Sequence, residues 1–229
     1  MSLYFVTGTD TDAGKTLISA GLLARARTQG LTTRGIKPVA SGSTRTARGL
    51  RNRDALLLQR YSAPAVDYTE VNPVTLEPAV APHLAAREAG MTLEASSLIA
   101  HIRRLQASPR QFGLVEGAGG WRVPLNRQED LSAIARALEL PVILVIGLRL
   151  GCINHARLSA EAIRADGLRL AGWVGNHIDP DYAEIEDTQT MLAHHLDAPC
   201  LGQVPWIDAA ETHGPEVAAR HLRLPGEAH

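Results

Sequence analysis

Short apolar runs alternate along the chain with longer stretches in which apolar residues recur at helical spacing. The runs predict strands over residues 3–7, 33–38, 112–116, 142–146, 170–176 and 200–204. The longer stretches predict helices over residues 15–29, 54–61, 93–105, 131–138, 154–165 and 185–196. Regular alternation of this kind favours parallel β-α-β units. The strands are almost continuously apolar, as expected when helices cover both faces of a sheet. The expectation is one α/β domain over residues 1–229, with helices on both sides of a mostly parallel central sheet. Gly30, Gly147 and Gly167 are expected at element ends. Residues 43–82 break the rhythm, with a proline-interrupted stretch after the helix at 54–61. The last fifteen residues are expected to be partly loose.

Composition narrows the function classes. Hydrophobic residues make up 45% and charged residues 21%, and the formal net charge is −1. That balance is ordinary for a soluble globular domain. It offers no general attraction for nucleic acid or an anionic membrane. The arginines Arg45, Arg48, Arg51 and Arg53 face either solvent or an anionic ligand. No run of eighteen apolar residues is present, and the start of the chain lacks the pattern of a secretory signal. Cys152 and Cys200 make no disulfide framework, so a reduced, cytoplasmic protein is expected. The nine histidines lack metal-ligand spacing. His194 and His195, for example, would point about 100° apart on a helix.

The first strand runs straight into G-T-D-T-D-A-G-K-T, residues 8–16. A phosphate-binding loop reads G-x-x-x-x-G-K-[ST], with four residues between the glycines. Here Gly8 and Gly14 enclose five, and the four-residue spacing starts at Thr9. The strand-loop-helix context is nevertheless the required one. Loop amides and the first helical turn would converge on a phosphate, with the helix dipole adding positive charge. Lys15 would reach the terminal phosphates and the Thr16 hydroxyl would hold Mg²⁺.

Two further strand ends carry chemistry. Glu116 closes one strand before Gly117-Ala118-Gly119-Gly120, at the edge where open α/β sheets bind ligands. A carboxylate there suits Mg²⁺, and the glycines let backbone approach a phosphate. Lys37 closes the second strand before Pro38. Beside Lys15 it would serve a reaction that builds negative charge during transfer; alone, such a lysine is usually solvated.

Together these stretches resemble the dethiobiotin synthetase family. The match runs through Y-F-V-T-G-T-D-T-D-A-G-K-T, I-K-P-V-A-S-G-S, G-L-R-N-R-D-A-L-L-L-Q-R, V-N-P-V-T-L, L-V-E-G-A-G-G-W, G-L-R-L-G-C-I-N-H-A and L-A-G-W-V-G-N. The resemblance implies a P-loop NTPase-like three-layer fold, a homodimer, and carboxylation and ring closure of 7,8-diaminopelargonate with CO₂ and ATP. It implies a nucleotide loop of Thr11, Asp12, Ala13, Gly14, Lys15, Thr16 and Leu17, and Mg²⁺ held by Thr16, Asp54 and Glu116. Gly117, Ala118 and Gly119 would border the phosphates. Lys37 and Lys15 would stabilise the carbamate and the migrating phosphoryl group, with Thr11 and Ser41 beside the diamine. Asn176, Pro205, Trp206, Ile207 and Glu211 would hold adenine. Gly151, Cys152, Ile153 and Asn154 would receive the substrate's carboxylate tail from the neighbouring subunit, with Asn154 capping a helix that begins near His155.

Two rivals are weaker. A MinD- or ParA-type ATPase switch carries a signature lysine that crosses its dimer; Asp10 stands at that position and supplies no positive charge. A related ATP-dependent amidoligase needs an ammonia source, and 229 residues leave no room for a glutaminase domain after the ATPase core.

Overall fold

The computed structural model describes residues 2–207 and 213–227. The chain opens with β1 (Ser2–Gly8), α1 (Lys15–Thr28) and β2 (Thr33–Ile36). A short strand β3 (Val39–Ala40) and a hairpin of β4 (Thr44–Thr46) and β5 (Gly49–Arg51) follow. Next come α2 (Arg53–Arg60), α3 (Tyr68–Val71), β6 (Val74–Thr75), α4 (Pro82–Glu88) and α5 (Ala95–Gln106). The second half is β7 (Phe112–Glu116), α6 (Ser132–Ala137), β8 (Val142–Leu148), α7 (Cys152–Ala165) and β9 (Leu170–His177). It ends with α8 (Ile185–Leu196), β10 (Cys200–Val204) and α9 (Gly214–Arg220).

Six strands form one parallel sheet in the order β10-β9-β8-β1-β7-β2. They are the six that the apolar runs predict. Side chains alternate across the sheet, as the pleat requires. Leu3 and Phe5 of β1 join Leu144 and Ile146 of β8 in a core shared with α5, α6, α7 and α8. Tyr4, Val6, Ile143 and Val145 face the other way, into a core shared with α1, α2 and α9. These are the three expected layers.

The strand order positions the site. β7 lies between β1 and β2, with Val6 opposite Glu116 and Ile36 opposite Val115. The loops leaving β1 and β2 therefore flank Glu116, which follows Thr16 by a hundred positions in sequence. Pro38 has no N–H to extend β2, and the Lys37 amide instead donates to the Val71 carbonyl.

Several local expectations need correction. The proline read as an interruption at 82 starts α4, at a first-turn position where its missing N–H costs nothing. Most of the first half of the last fifteen residues is helical, in α9. There α9 packs on α1, burying Ala218 in one core with Ile18 and Leu22. Helix α7 starts at Cys152 and its N-cap is Gly151 at φ 92°; Asn154 sits inside the first turn and is not the cap. Gly147 lies within β8, where a side chain would crowd Ala13 of the phosphate loop. Among the described residues no helix is long and apolar enough to cross a membrane.

Candidate active site

The loop after β1 is tied down from the loop after β7 on one side and from β8 on the other. The Gly8 amide donates to Gly119 and the Thr9 amide to Val145. Gly14 caps α1 at φ 85°, and a side chain there would run into the Asn176 amide group. Neither a side-chain cap nor an acidic residue occupies the first turn of α1. Its leading amides are thus available to an anion at the positive end of the helix dipole.

Lys15 folds back over this loop. Its Nζ donates to the Asp10 carbonyl at 2.9 Å, and the residue is 7% exposed. Burial, and then the charge of Lys37, lower its pKa to about 8, against the pull of Glu116, Asp54 and Asp12. A phosphate needs the charged form and would raise this pKa again. Nucleotide binding near pH 8 is therefore expected to take up protons, and affinity is expected to fall as pH rises through that value. Calorimetry in buffers of different ionisation enthalpy checks this; uptake that does not vary between pH 6.5 and pH 8.5 would contradict it.

Glu116 is fully buried. Its Oε1 accepts from the Thr16 hydroxyl at 2.8 Å and from Lys37 Nζ at 2.7 Å, while Oε2 is buried with no partner among the described residues. Lys37, 4% exposed, also donates to the Gly117 carbonyl at 2.9 Å and lies 3.5 Å from Asp54 Oδ2. Burial pushes the Lys37 pKa down, but Glu116 and Asp54 outweigh it and hold the amine above its ordinary value. The ammonium is therefore charged throughout the working pH range.

Two asparagines hold these groups in place. The Asn52 side chain caps α2 by accepting from the Asp54 and Ala55 amides and donates to the Ser41 carbonyl. Asn72 Nδ2 donates to the Lys37 carbonyl at 2.7 Å, and its Oδ1 accepts from Tyr68 and Thr75. Sequence reasoning gave neither residue a role, although N-R-D and V-N-P-V-T both lie in the matched stretches. A stronger signal was composition: of 23 basic residues only Lys15 and Lys37 are lysines, the others being arginine. An amine at those two positions is a chemical choice, because guanidinium serves everywhere else.

A cleft of about 730 Å³ opens over this cluster. Thr11, Asp12 and residues 14–17 line it, and so do Lys37, Ser41, Asp54, Ala118 and Gly119. Glu116 lies beneath it, and Ala13 is buried behind the loop. Beyond the phosphate loop, residues 79–82 and 122–124, with Val39, Ala40, Gly42 and Asn52, also line the cleft, and sequence reasoning missed them.

The other expected residues do not line the cleft. Asn176 is buried at the tip of β9; its Nδ2 donates to the Ala13 carbonyl at 3.1 Å and its Oδ1 has no partner among the described residues. Val204 pairs with Asn176, which brings Pro205, Trp206 and Ile207 to the same edge. Glu211 lies outside the described residues. Gly151, Cys152, Ile153 and Asn154 form the start of α7, with Gly151 and Asn154 exposed.

Comparison with known proteins gives the family and the fold. A family model described as an AAA domain matches residues 3–213. The ATP-dependent dethiobiotin synthetase BioD of Chromohalobacter salexigens is 58% identical, covering all of both chains. The protein of the same name from Pseudomonas aeruginosa strain PAO1 is 56% identical over 98% of this chain and 97% of its own. In fold the chain is similar to the Pyrococcus furiosus cell division ATPase MinD, with a TM-score of 0.58 and 17% identity over 95% of this chain and 89% of that one. A ParA family ATPase of Chlorobium tepidum gives a TM-score of 0.55 at 10% identity, with the same coverage. Sequence likeness over the whole length, on a P-loop sheet with its strand-tip lysine and carboxylate together, fixes the assignment: the chain belongs to the dethiobiotin synthetase family, within the AAA domain family.

Proposed function

We propose that this chain joins CO₂ to 7,8-diaminopelargonate and closes the product into a cyclic urea, with ATP as phosphoryl donor. One amine adds to CO₂ and loses a proton, giving a carbamate. A carbamate oxygen takes the γ-phosphoryl group, releasing ADP and leaving a carbamic–phosphoric anhydride. The second amine then attacks the carbamoyl carbon, a proton is lost, and phosphate leaves as the ring closes.

The observation that carries this reading is the meeting of Lys37, Glu116 and Thr16 beside the phosphate loop, inside one cleft. Lys15 and Lys37 would neutralise the charge that builds on the migrating phosphoryl group and the carbamate. Thr11 and Ser41 border the space for the diamine. Little proton chemistry is asked of the protein, because phosphorylation creates the leaving group. Holding two amines and a carbamate in register supplies most of the advantage.

The donor set fits Mg²⁺. It comprises the Thr16 hydroxyl and two carboxylates, Asp54 and Glu116, and the Glu116 Oε2 is buried without a partner. Hard oxygens in that number leave positions for phosphate oxygens and water, as Mg²⁺ prefers. When bound, the ion would neutralise phosphate charge. Among the described residues no three His, Cys, Asp or Glu side chains converge as metal ligands. The free Asn176 Oδ1 suits the amino group of adenine, next to Pro205, Trp206 and Ile207. Both thiols are free, which supports a reducing, cytoplasmic setting.

The start of α7 supports a receptor for the substrate's carboxylate, supplied across a homodimer. The first-turn amides are uncapped by any side chain. Mixing Lys37→Ala and Asn154→Ala chains is then expected to restore part of the activity in heterodimers, since one of the two sites would be intact. No recovery in isolated heterodimers would reject the shared site. The function as a whole is tested by incubating the protein with MgATP, bicarbonate and the diamine. The cyclic urea is expected by mass, with one ADP per product; ATP turnover without it would overturn the reading.

A further inference from the structure

We propose that Asp166 is a positioning residue that fixes the cleft wall of residues 118–124, and with it the space for the non-nucleotide substrate. The inference rests on the proposed ring-closing function for the identity of that substrate.

Asp166 follows α7 and is not among the residues lining the cleft. Its carboxylate nevertheless gathers the wall. Arg122 donates to it twice, at 2.7 and 2.9 Å, and Trp121 Nε1 donates at 2.9 Å. The Asp166 side chain is 11% exposed and that of Arg122 is 47% exposed, so the Trp121 bond is the shielded one and the Arg122 fork is partly open to solvent. Trp121 is buried and meets the Phe5 ring edge-on, with centroids 5.8 Å apart. Arg122 reaches Ser132 at 3.5 Å and lines the cleft with Val123 and Pro124.

Backbone ties hold the wall at its ends. Gly119 accepts from the Gly8 amide, and Val123 accepts from the Leu131 amide. Between those ties, Trp121 and Arg122 both anchor on Asp166. Burial pushes the Asp166 carboxyl up, but hydrogen bonds from Arg122 and Trp121, with the charges of Arg122 and Arg136, hold it below the usual carboxylate range. The anchor is therefore ionised wherever the enzyme works. The phosphate loop meets this wall at its Gly119 end, where Gly119 accepts from the Gly8 amide. The other end of the wall, Arg122 to Pro124, lines the same cleft as Lys37 and Ser41.

Asp166→Asn keeps an acceptor for Trp121 and loses the ionic fork. Loss of such a pair is expected to raise the KM for the diamine about tenfold, with kcat and the Kd for MgADP within about twofold. A diamine KM within twofold of the unaltered protein, or MgADP binding that weakens in step, would overturn the proposal. Arg122→Met cuts the same contact, so the double variant is expected to be no worse than the worse single one; additive effects overturn it. Should Asp166→Asn fail to fold, Arg122→Met is judged by the lysine labelling described next, because Arg122 itself lines the cleft and its loss changes the KM by direct contact as well. A second readout needs no turnover. With only two lysines in the chain, acetic anhydride labelling read by mass reports Lys37 against Lys15. Their ratio is expected to rise about fivefold in Asp166→Asn as the wall loosens over Lys37; an unchanged ratio overturns the claim. If the unaltered protein forms no cyclic urea, the proposed function fails, and the lysine ratio still decides the role of Asp166.

Discussion

Lys37→Ala is expected to lower kcat for cyclic urea formation at least about a thousandfold, since one preorganised donor in a dry site contributes about 10²–10³. Here the donor is a full cation that also orders its surroundings. Its Nζ sits on Glu116 Oε1 and the Gly117 carbonyl, next to Asp54. Alanine removes positive charge where transfer accumulates negative charge, and leaves Glu116 with only the Thr16 hydroxyl as donor. MgATP is expected to bind nearly as before, because the phosphate loop and Lys15 make no contact through the Lys37 side chain. The charge of Lys37 also depresses the Lys15 pKa. Its loss lets Lys15 stay charged to higher pH, so nucleotide affinity at pH 8.5 should hold or improve. Lys37→Arg is expected to fail almost as badly, because a planar fork does not fit the single point between Glu116 and Gly117. Single-turnover product formation and calorimetry separate these effects. A Lys37→Ala variant within tenfold of normal kcat would remove Lys37 from the chemistry.

The sheet was legible in the sequence because its strands are buried on both faces and so read as unbroken apolar runs. Phe112–Glu116 and Val142–Leu148 are of this kind. The phosphate loop was legible despite its odd glycine spacing, because the mechanism needs amides and a dipole rather than a fixed first glycine. Strand order was not legible. Nothing local in the sequence says that β7 inserts between β1 and β2, and that insertion is what brings Thr16 and Lys37 to one carboxylate oxygen. Short elements that draw on tertiary contacts also escaped. Helix α4 begins on a proline that reads as a breaker. Helix α9 is seven residues long and is held by its packing on α1. Asn154 was assigned as a cap from residue type alone, whereas a glycine in the left-handed region caps the helix start three positions earlier. The Asp166 anchor was invisible for the same reason as the strand order: its partners are more than forty residues away.

Glu116→Gln tests the other half of the cluster, and its effects should differ in kind from those of Lys37→Ala. Glutamine keeps the shape and can still accept from Thr16, so the strand tip should remain folded. It removes a buried negative charge with Lys37 directly against it. Deleting one partner of a buried pair costs about 3–5 kcal/mol, and the lower end is expected because Asp54 remains near Lys37. The pKa consequence has a definite sign. Glu116 is the principal charge raising Lys37 against burial. Without it, desolvation is less opposed and the Lys37 pKa falls, so activity should decline as pH rises through the lowered value, where the unaltered protein stays active. The ion is affected separately. Losing one of two carboxylates near Thr16 should raise the Mg²⁺ concentration for half-maximal rate about tenfold or more, as expected when a hard cation loses an anionic ligand. Neither change is expected of Lys37→Ala, which leaves both carboxylates. Rates measured against Mg²⁺ at pH 7 and pH 9 distinguish the two roles. A shifted pH profile with an unchanged Mg²⁺ titration would leave Glu116 as the partner of Lys37 alone and reject it as a magnesium ligand.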